Sequence, residues 1–203
     1  MKNRNLTIFA LFLFVITGCQ SPELKTLRDG FRWYERGEYD RAIEIFSSVL
    51  ATQHTNTYAL AALAGRGGAF AEKKEYTLAL EDYDKAIQAD PSLARLYYHR
   101  GVCWYGYAKK GEWYDEDKLI NALADYTKVI ELDPAYRAAH INRAAINKMM
   151  GKYDLALDDY NKVLELTPND EKTIEAREKT LKAIREGSKP LVRDDPPPEK
   201  VGK

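Results

Sequence analysis

Three histidines and two cysteines are the residues of this chain whose chemistry most often serves metal binding or nucleophilic catalysis. His54, His99 and His140 are far apart in sequence and share no recurring carboxylate or cysteine neighbour. Cys19 and Cys103 are too widely separated to form a pair at metal-ligand spacing. The chain also contains no glycine-rich phosphate loop, no His-Glu-x-x-His and no Gly-x-Ser-x-Gly. We therefore predict that the protein is not an enzyme and uses no metal or cofactor.

The beginning of the chain has the organisation of a secretory signal. Lys2 and Arg4 provide a basic start, and an apolar run over residues 6–17 follows. That run is too short to span a bilayer, which needs about 20 residues. It ends in Ile16-Thr17-Gly18-Cys19, which closely resembles the lipobox of bacterial lipoproteins. The resemblance implies a signal peptide over residues 1–18 that is cleaved before Cys19.

The same resemblance implies that Cys19 carries acyl chains and that residues 19–22 form a lipidated N-terminus and short tether. Two or three acyl chains hold a protein firmly on a membrane, whereas one holds it weakly. In Gram-negative lipoproteins an Asp after the cysteine tends to retain the protein in the inner membrane, and here Gln20 follows. We expect the outer membrane, facing the periplasm, if the cell has one. The alternative is an ordinary signal or an uncleaved anchor with an unrelated cysteine.

Net charge argues against one kind of partner, and the C-terminal composition predicts a tail, with a short Pro-rich docking motif as the alternative. Without Lys2 and Arg4 the chain has two more acidic than basic residues, which argues against nucleic-acid binding. Residues 187–203 are rich in proline and charge and nearly free of large apolar side chains. Such a segment cannot bury enough surface to offset its ordering entropy, so we predict a disordered tail.

Three segments of the chain nearly repeat one another: Ala79–Pro91, Ala122–Pro134 and Ala156–Pro168. Each has a tyrosine four residues after the alanine and ends in proline. Twelve residues before the first and last of these alanines stand small residues, Gly67 and Ala144. Self-similarity of this kind indicates stacked units, each built from two helices that bury one face.

Two departures from the period are visible. An earlier and weaker copy has Gly30 twelve residues before Ala42, and His54 stands where the other copies have proline. In the third copy Gly101 precedes Ala122 by 21 residues, so this unit carries a nine-residue insertion. The small residue of each unit is expected to let the two helices cross closely, with an aromatic side chain filling the space beside it.

The order of small residue, aromatic, Gly-x-Tyr, alanine, aromatic, small residue and proline resembles the tetratricopeptide repeat over about residues 23–168. The resemblance implies an all-α fold, a right-handed superhelical solenoid of about four helix pairs in one domain over residues 23–186. Residues 169–186 are predicted to form a capping helix. The side chains of this helix that are expected to cover the last helix pair are Thr173, Ile174, Leu181 and Ile184.

The resemblance also implies that partners bind in a groove lined by the first helix of each pair. The groove residues that we single out are Arg28, Phe31, Tyr34, Arg95, Tyr98, His99, Tyr105, Asn142 and Lys148. Their expected neighbours are Leu27, Ala64, Gly65, Gly68, Ala71, Val102, Ile141 and Ala145. Some family members clamp a peptide carboxylate with Lys and Asn, but only Asn142 matches that set. The alternative for the aromatics is packing beneath neighbouring helices.

Four further features receive structural interpretations. Cys103 is predicted to be a buried small apolar residue, and His140 to serve packing, because it takes the place of Leu63 and Tyr97. The acidic pair Asp158-Asp159 is predicted to lie on a solvated helix face. The insertion over residues 109–118 is either neutral decoration or a contact loop, since its Trp113 and Tyr114 are costly to leave in water.

Together these features predict a lipid-anchored adaptor. It would bind another cell-envelope protein, itself membrane-bound, through its groove and support assembly of an envelope complex. The alternative is a periplasmic sensor that binds a small ligand or cell-wall fragment around residues 98–107. A homodimer through the incomplete first repeat is a further possibility.

Overall fold

The protein is described here by a computed structural model that covers residues 22–52, 56–111, 113–188, 190, 192 and 193. The signal peptide, Cys19 and His54 lie outside these residues, so the structure does not bear on their predicted roles. Over the described ranges, no helix combines the length and apolarity that a membrane crossing requires. The chain divides into two compact units, residues 1–92 and 93–203.

In its described residues, the first unit contains two helix pairs. The pairs are α1 (Pro22–Glu35) with α2 (Tyr39–Ala51), and α3 (Asn56–Glu72) with α4 (Tyr76–Ala89). Phe46 of α2 is fully buried and lies against two glycines. A Cβ atom on Gly30 would lie 2.7 Å from Phe46 Cε1, and one on Gly65 would lie 2.5 Å from Phe46 Cζ. Any larger residue at either glycine would therefore collide with this ring.

The second unit contains two helix pairs, a final helix and three short strands. Its elements are α5 (Ala94–Ala108), β1 (Lys109–Lys110), β2 (Trp113–Asp115), α6 (Glu116–Leu132), α7 (Arg137–Met149), α8 (Tyr153–Leu166), α9 (Glu171–Glu186) and β3 (Val192–Arg193). Helix α5 packs on α6, and α7 packs on α8. The predicted all-α fold of tetratricopeptide helix pairs is confirmed, and each pair begins within a few residues of its expected start.

The predicted close crossing of paired helices is also confirmed. A Cβ atom on Gly67 would lie 3.2 Å from the backbone oxygen of Ala79, so α3 and α4 nearly touch there. A Cβ atom on Gly101 would lie 2.9 Å from Cε1 of Tyr126, a ring that is 1% exposed. The small residue and the aromatic thus fit one another in both units, which is why the spacing recurs.

The insertion folds into a small sheet. Strands β1 and β2 form an antiparallel hairpin, and Asp115 then caps α6 by accepting a hydrogen bond from the backbone N–H of Lys118. Strand β3 pairs with β2 in parallel, with Tyr114 opposite Val192. The prediction of a disordered tail is therefore wrong for residues 192–193, because β2 offers them an open edge with backbone hydrogen-bonding groups. Residues 194–203 lie outside the described part of the chain.

The final helix α9 packs on α8, as expected of a capping helix, but through fewer side chains than predicted. Thr173 and Thr180 are buried at this contact. Leu181 is 38% exposed and Ile184 is 43% exposed, so the prediction that they cover the last pair is wrong. Both belong to the exposed large hydrophobic residues of the described ranges.

Lys74 stands at a turn position where glycine is the better residue. Gly37 and Gly151 occupy the equivalent turns with φ of 79° and 75°, and Lys74 has φ of 63°. The left-handed conformation costs a residue with a side chain about 1–2 kcal/mol, whereas glycine adopts it readily. We expect Lys74→Gly to raise the free energy of unfolding by about 0.5–1 kcal/mol in urea denaturation. Loss of stability in this variant, with Gly37→Ala having no effect, would contradict the turn geometry.

Candidate functional site

A row of side chains on α5 forms the most open part of the predicted groove. Arg95, Tyr98, Val102 and Tyr105 follow one another at helical spacing and so share one face. Val102 is 40% exposed, which is high for an apolar residue, and Tyr98 is half-buried. We call these four residues, together with Asn142 of α7, the tyrosine surface. It lies entirely within the second unit.

Tyr98 and Asn142, both predicted as groove residues, are brought into contact. The Asn142 amide donates hydrogen bonds to the hydroxyl oxygens of Tyr98, at 3.4 Å, and Tyr126, at 3.3 Å. The Tyr98 ring lies 5.9 Å from the Tyr126 ring and 5.1 Å from the Tyr136 ring, measured between centroids. Asn142 therefore fixes two tyrosine hydroxyls, and its amide is already engaged by them.

Burial raises the pKa of two neighbouring tyrosines. It raises the pKa of Tyr136 to about 12, with Tyr98 adding to the effect. The pKa of Tyr126 is also raised, chiefly by burial and next by Tyr98. Neutral phenols offer both a donor and an acceptor beside a large apolar ring. The cluster suits apolar side chains with hydrogen-bonding groups next to them.

His99 and Arg95 border this cluster. The His99 ring meets the Tyr98 ring edge-on, with 5.4 Å between centroids. Burial is the main reason that the pKa of His99 falls to about 4, and the positive charge of Arg95 contributes to the fall. The His99 imidazole is therefore neutral at neutral pH. Of the two residues, Arg95 is the one that carries charge.

The insertion supports the other end of the tyrosine surface. The Tyr105 ring stacks on Tyr114 of β2 with 5.7 Å between centroids, and their hydroxyl oxygens are 3.4 Å apart. Burial is the main reason that the pKa of Tyr105 rises to about 12, and the hydrogen bond with Tyr114 adds to it. Tyr114 also packs against the core of the second unit. The insertion thus positions a groove residue.

Lys148, the last predicted groove residue, lies near the end of α7. It is half-buried, and its pKa is lowered by burial and then by the charge of Lys179 on α9. The Lys179 ammonium is itself paired with Glu175, at 2.6 Å.

The groove residues predicted in the first unit are less available. Phe31 is buried and meets Phe46 edge-on at 4.9 Å between centroids, so its predicted groove role is wrong. Tyr34 is half-buried against Tyr39, and its pKa is raised by burial and next by Glu72. Arg28 remains exposed.

Three buried arginine–aspartate pairs were missed by the sequence analysis. In each, the arginine donates from Nε and Nη2 to the two carboxylate oxygens of the aspartate, at 2.6–2.9 Å. The pairs are Arg66–Asp82, Arg100–Asp125 and Arg143–Asp159. The sequence pattern that could have revealed these pairs is an arginine directly before the small residue of the first helix. An aspartate stands directly before the tyrosine of the second helix in the same units. These pairs tie the first helix of a unit to its second.

Asp159 is consequently not part of a solvated face, as its sequence context predicted. It is 3% exposed and also lies 2.8 Å from Nδ1 of His140. The other ring nitrogen of His140 is 3.1 Å from the carbonyl oxygen of Pro134. His140 is therefore a packing residue with both nitrogens engaged, as predicted, while its neighbour Asp158 is exposed.

Cys103 is buried, as predicted, and we expect it to be unreactive. It is 1% exposed, and burial, helped by Asp125, raises the pKa of its thiol to about 12. In a Cys19→Ser background, labelling of Cys103 by a thiol reagent at pH 8 should be slower than in guanidinium by on the order of 10³-fold. Comparable rates in the two solvents would contradict this placement.

No metal site accompanies these groups. Over the ranges that the structure describes, no cluster of three or more His, Cys, Asp or Glu could hold a metal ion. A cavity of about 360 Å³ lies among α6, α7 and α8, lined in part by Leu123, Asn147 and Leu155. It lies away from residues 98–107, where the sensor alternative places its ligand.

Two stretches of the chain match models of known repeats. Residues 138–170 match the model described as tetratricopeptide repeat, and residues 67–105 match one described as TPR repeat. The helix pairs and these matches show that the chain contains tetratricopeptide repeats. This fold typically serves as a non-catalytic scaffold for protein interactions.

Individual relatives are similar only over the repeats. The chain is 31% identical over 102 residues to serine/threonine-protein phosphatase 5 of Rattus norvegicus. This match covers 48% of the chain and spans only 18% of the phosphatase. Phosphatase activity is therefore not carried over to this protein.

Solved structures of tetratricopeptide-repeat proteins resemble the chain more widely. The first such domain of Spaghetti (RPAP3), solved with the HSP90 peptide SRMEEVD, is 25% identical with a TM-score of 0.54, covering 62% of this chain and 93% of that one. MamA of Desulfovibrio magneticus RS-1 is 23% identical with a TM-score of 0.62, covering 73% and 77%. A protein of Parabacteroides merdae is 20% identical with a TM-score of 0.64, covering 82% and 60%.

Proposed function

We propose that this protein is a lipid-anchored adaptor that binds a segment of another cell-envelope protein on its tyrosine surface. The anchor is acylated Cys19, and the protein faces the periplasm from the outer membrane in a Gram-negative cell. Binding supports assembly of an envelope complex. The observation that carries the proposal is the exposed Val102 between Tyr98 and Tyr105, backed by fixed tyrosine hydroxyls.

The chemistry of the surface indicates the kind of segment that binds. Val102 and the tyrosine rings offer apolar contact, and the phenol hydroxyls offer hydrogen bonds. Arg95 contributes positive charge at one end of α5. A segment with one or two apolar side chains and a nearby carboxylate fits these groups. The HSP90 peptide bound to the related RPAP3 domain combines methionine, valine and acidic residues in the same way.

The anchor can be tested with the two cysteines of the chain. We expect Cys19→Ser to abolish labelling by a clickable palmitate analogue and to move the protein from the membrane to the soluble fraction or leave it unprocessed, because Cys19 carries the acyl chains. Cys103→Ala is the matched control and should remain labelled and membrane-bound. A Cys19→Ser protein that stays processed and on the membrane would contradict lipid anchoring.

The binding surface can be tested by photo-crosslinking in growing cells. A photoreactive benzoyl-phenylalanine at Val102 should form an adduct with a specific envelope protein. The same group at Leu155 on α8, which is 53% exposed, is the control and should not form that adduct. The absence of adducts at Val102, or the same adducts at both positions, would overturn the proposal. Thermal stabilisation by a cell-wall fragment would instead support the sensor alternative.

A further inference from the structure

Helix α9 is in the register of a first helix but lacks its partner. Arg177 stands 34 residues after Arg143, the same distance that separates Arg100 from Arg66. In the same alignment, Ile174 corresponds to His140 and Leu181 to Asn147. His140 and Asn147 are both buried, whereas Leu181 is exposed. Among the described residues, no second helix follows α9 to cover this face.

The guanidinium of Arg177 shows what the missing partner would supply. Arg66 and Arg143 each donate from Nη1 backwards to the preceding second helix, and from Nε and Nη2 forwards to their own aspartate. Arg177 makes the backward contact, from Nη1 to Oδ1 of Asn161 at 3.4 Å. Its Nε is buried and has no hydrogen-bond partner. An unsatisfied buried donor on a charged group is costly. A carboxylate that accepts a hydrogen bond from Nε of Arg177 is therefore favoured at this side of α9.

The surrounding face of α9 is self-complementary. Ile174, Arg177, Glu178 and Leu181 follow at intervals of three, one and three residues, and at about 100° of rotation per residue all four fall on one face of the helix, which we call the stripe. Arg177 and Glu178 lie equally far from the midpoint between them, and so do Ile174 and Leu181. A twofold axis through this midpoint therefore matches each residue of one copy with the other member of its pair in the second copy. Two copies of α9 packed antiparallel would therefore place Arg177 beside Glu178 of the other copy, and Ile174 beside Leu181.

We propose that this stripe is a homodimer interface in which a second copy of the chain provides the carboxylate for Arg177. Two partners could cover this face of α9: a second copy of the chain or an ordinary second helix. Glu178 favours the second copy. At its position the other first helices have Gly67, Gly101 and Ala144, which allow an aromatic to approach closely. Glu178 blocks that approach, but it is the residue that a twofold contact needs. Twofold, isologous contacts are the commonest way in which soluble proteins dimerise.

Charge reversal tests the twofold contact directly. The full-length protein, purified in density-matched detergent, is measured by sedimentation equilibrium up to about 100 µM. Arg177→Glu and Glu178→Arg should each weaken the dimer by tenfold or more, because each places like charges across the axis. The double variant R177E/E178R regenerates both pairs and should restore dissociation to within about threefold of wild type.

Controls separate this contact from a general loss of folding. Lys172→Glu, an exposed reversal outside the stripe, should leave the dimer unchanged, and circular dichroism should show the same melting temperature for every variant compared. Leu181→Ser should weaken the dimer without altering charge. This variant is measured instead of a charge-reversal variant that does not fold. A monomer throughout the concentration range overturns the proposal. A dimer that survives both single reversals also overturns it and moves the contact elsewhere, such as the first repeat.

Discussion

Asp159→Ala is expected to lower the free energy of unfolding by about 3–5 kcal/mol. The Asp159 carboxylate is 3% exposed and accepts hydrogen bonds from Nε and Nη2 of Arg143, at 2.9 and 2.8 Å. Removing it leaves the Arg143 guanidinium with its bond to Thr127 alone and His140 with its contact to Pro134 alone. Because the Arg143 side chain is 24% exposed, water compensates in part and the lower end of the range is expected. Urea denaturation measures the change.

The neighbouring residue provides the control. Asp158 is exposed, and Asp158→Ala should change stability by no more than about 0.5 kcal/mol. The double variant Arg143→Met/Asp159→Leu should lose less stability than Asp159→Ala, because no buried charge is left unpaired. Equal effects of the two single aspartate changes would show that the buried pair does not stabilise the fold.

The helix pairs and their crossing points could be predicted from the sequence because their signal is local. A glycine or alanine and a tyrosine recur at fixed spacing, and each pair must bury one face whatever its surroundings. Gly101 against Tyr126 is an example in which residue size alone determined the prediction. The same reasoning correctly placed Cys103 and His140 inside the fold.

The arginine–aspartate pairs could not be predicted from one unit alone. Arg143 and Asp159 lie 16 residues apart on different helices, and charged residues on amphipathic helices usually face water. Only their recurrence in three units indicates a buried pair. The same comparison identifies Arg177 as the member of the series that lacks its aspartate.

Other errors arose from contacts that helical spacing does not describe. Phe31 shares its helix face with groove positions, but the ring of Phe46 draws it into the core. Strand β3 depends on an edge formed some 80 residues earlier in the chain, so composition alone suggested disorder. Among the predicted groove residues, the structure brings Tyr98 and Asn142 into contact and joins Tyr105 to the insertion. Arg28 and Tyr34 belong to the other unit.

Val102→Asp is expected to weaken binding of the partner segment by about ten- to a hundredfold. Val102 is the exposed apolar centre of the tyrosine surface, between Tyr98 and Tyr105. Binding would bury the new carboxylate against the tyrosine rings and would remove the apolar contact. Because the side chain is exposed in the free protein, the substitution should leave the melting temperature within about 2 °C of wild type.

Calorimetric titration of the full-length protein with the segment crosslinked at Val102 tests the central claim most directly. The wild type should bind one segment per chain saturably, and Val102→Asp should lose at least tenfold in affinity. Leu155→Asp, an equivalent change on α8, should bind within about twofold of wild type. If both variants bind as the wild type does, or both lose affinity equally, the tyrosine surface is not where the partner binds.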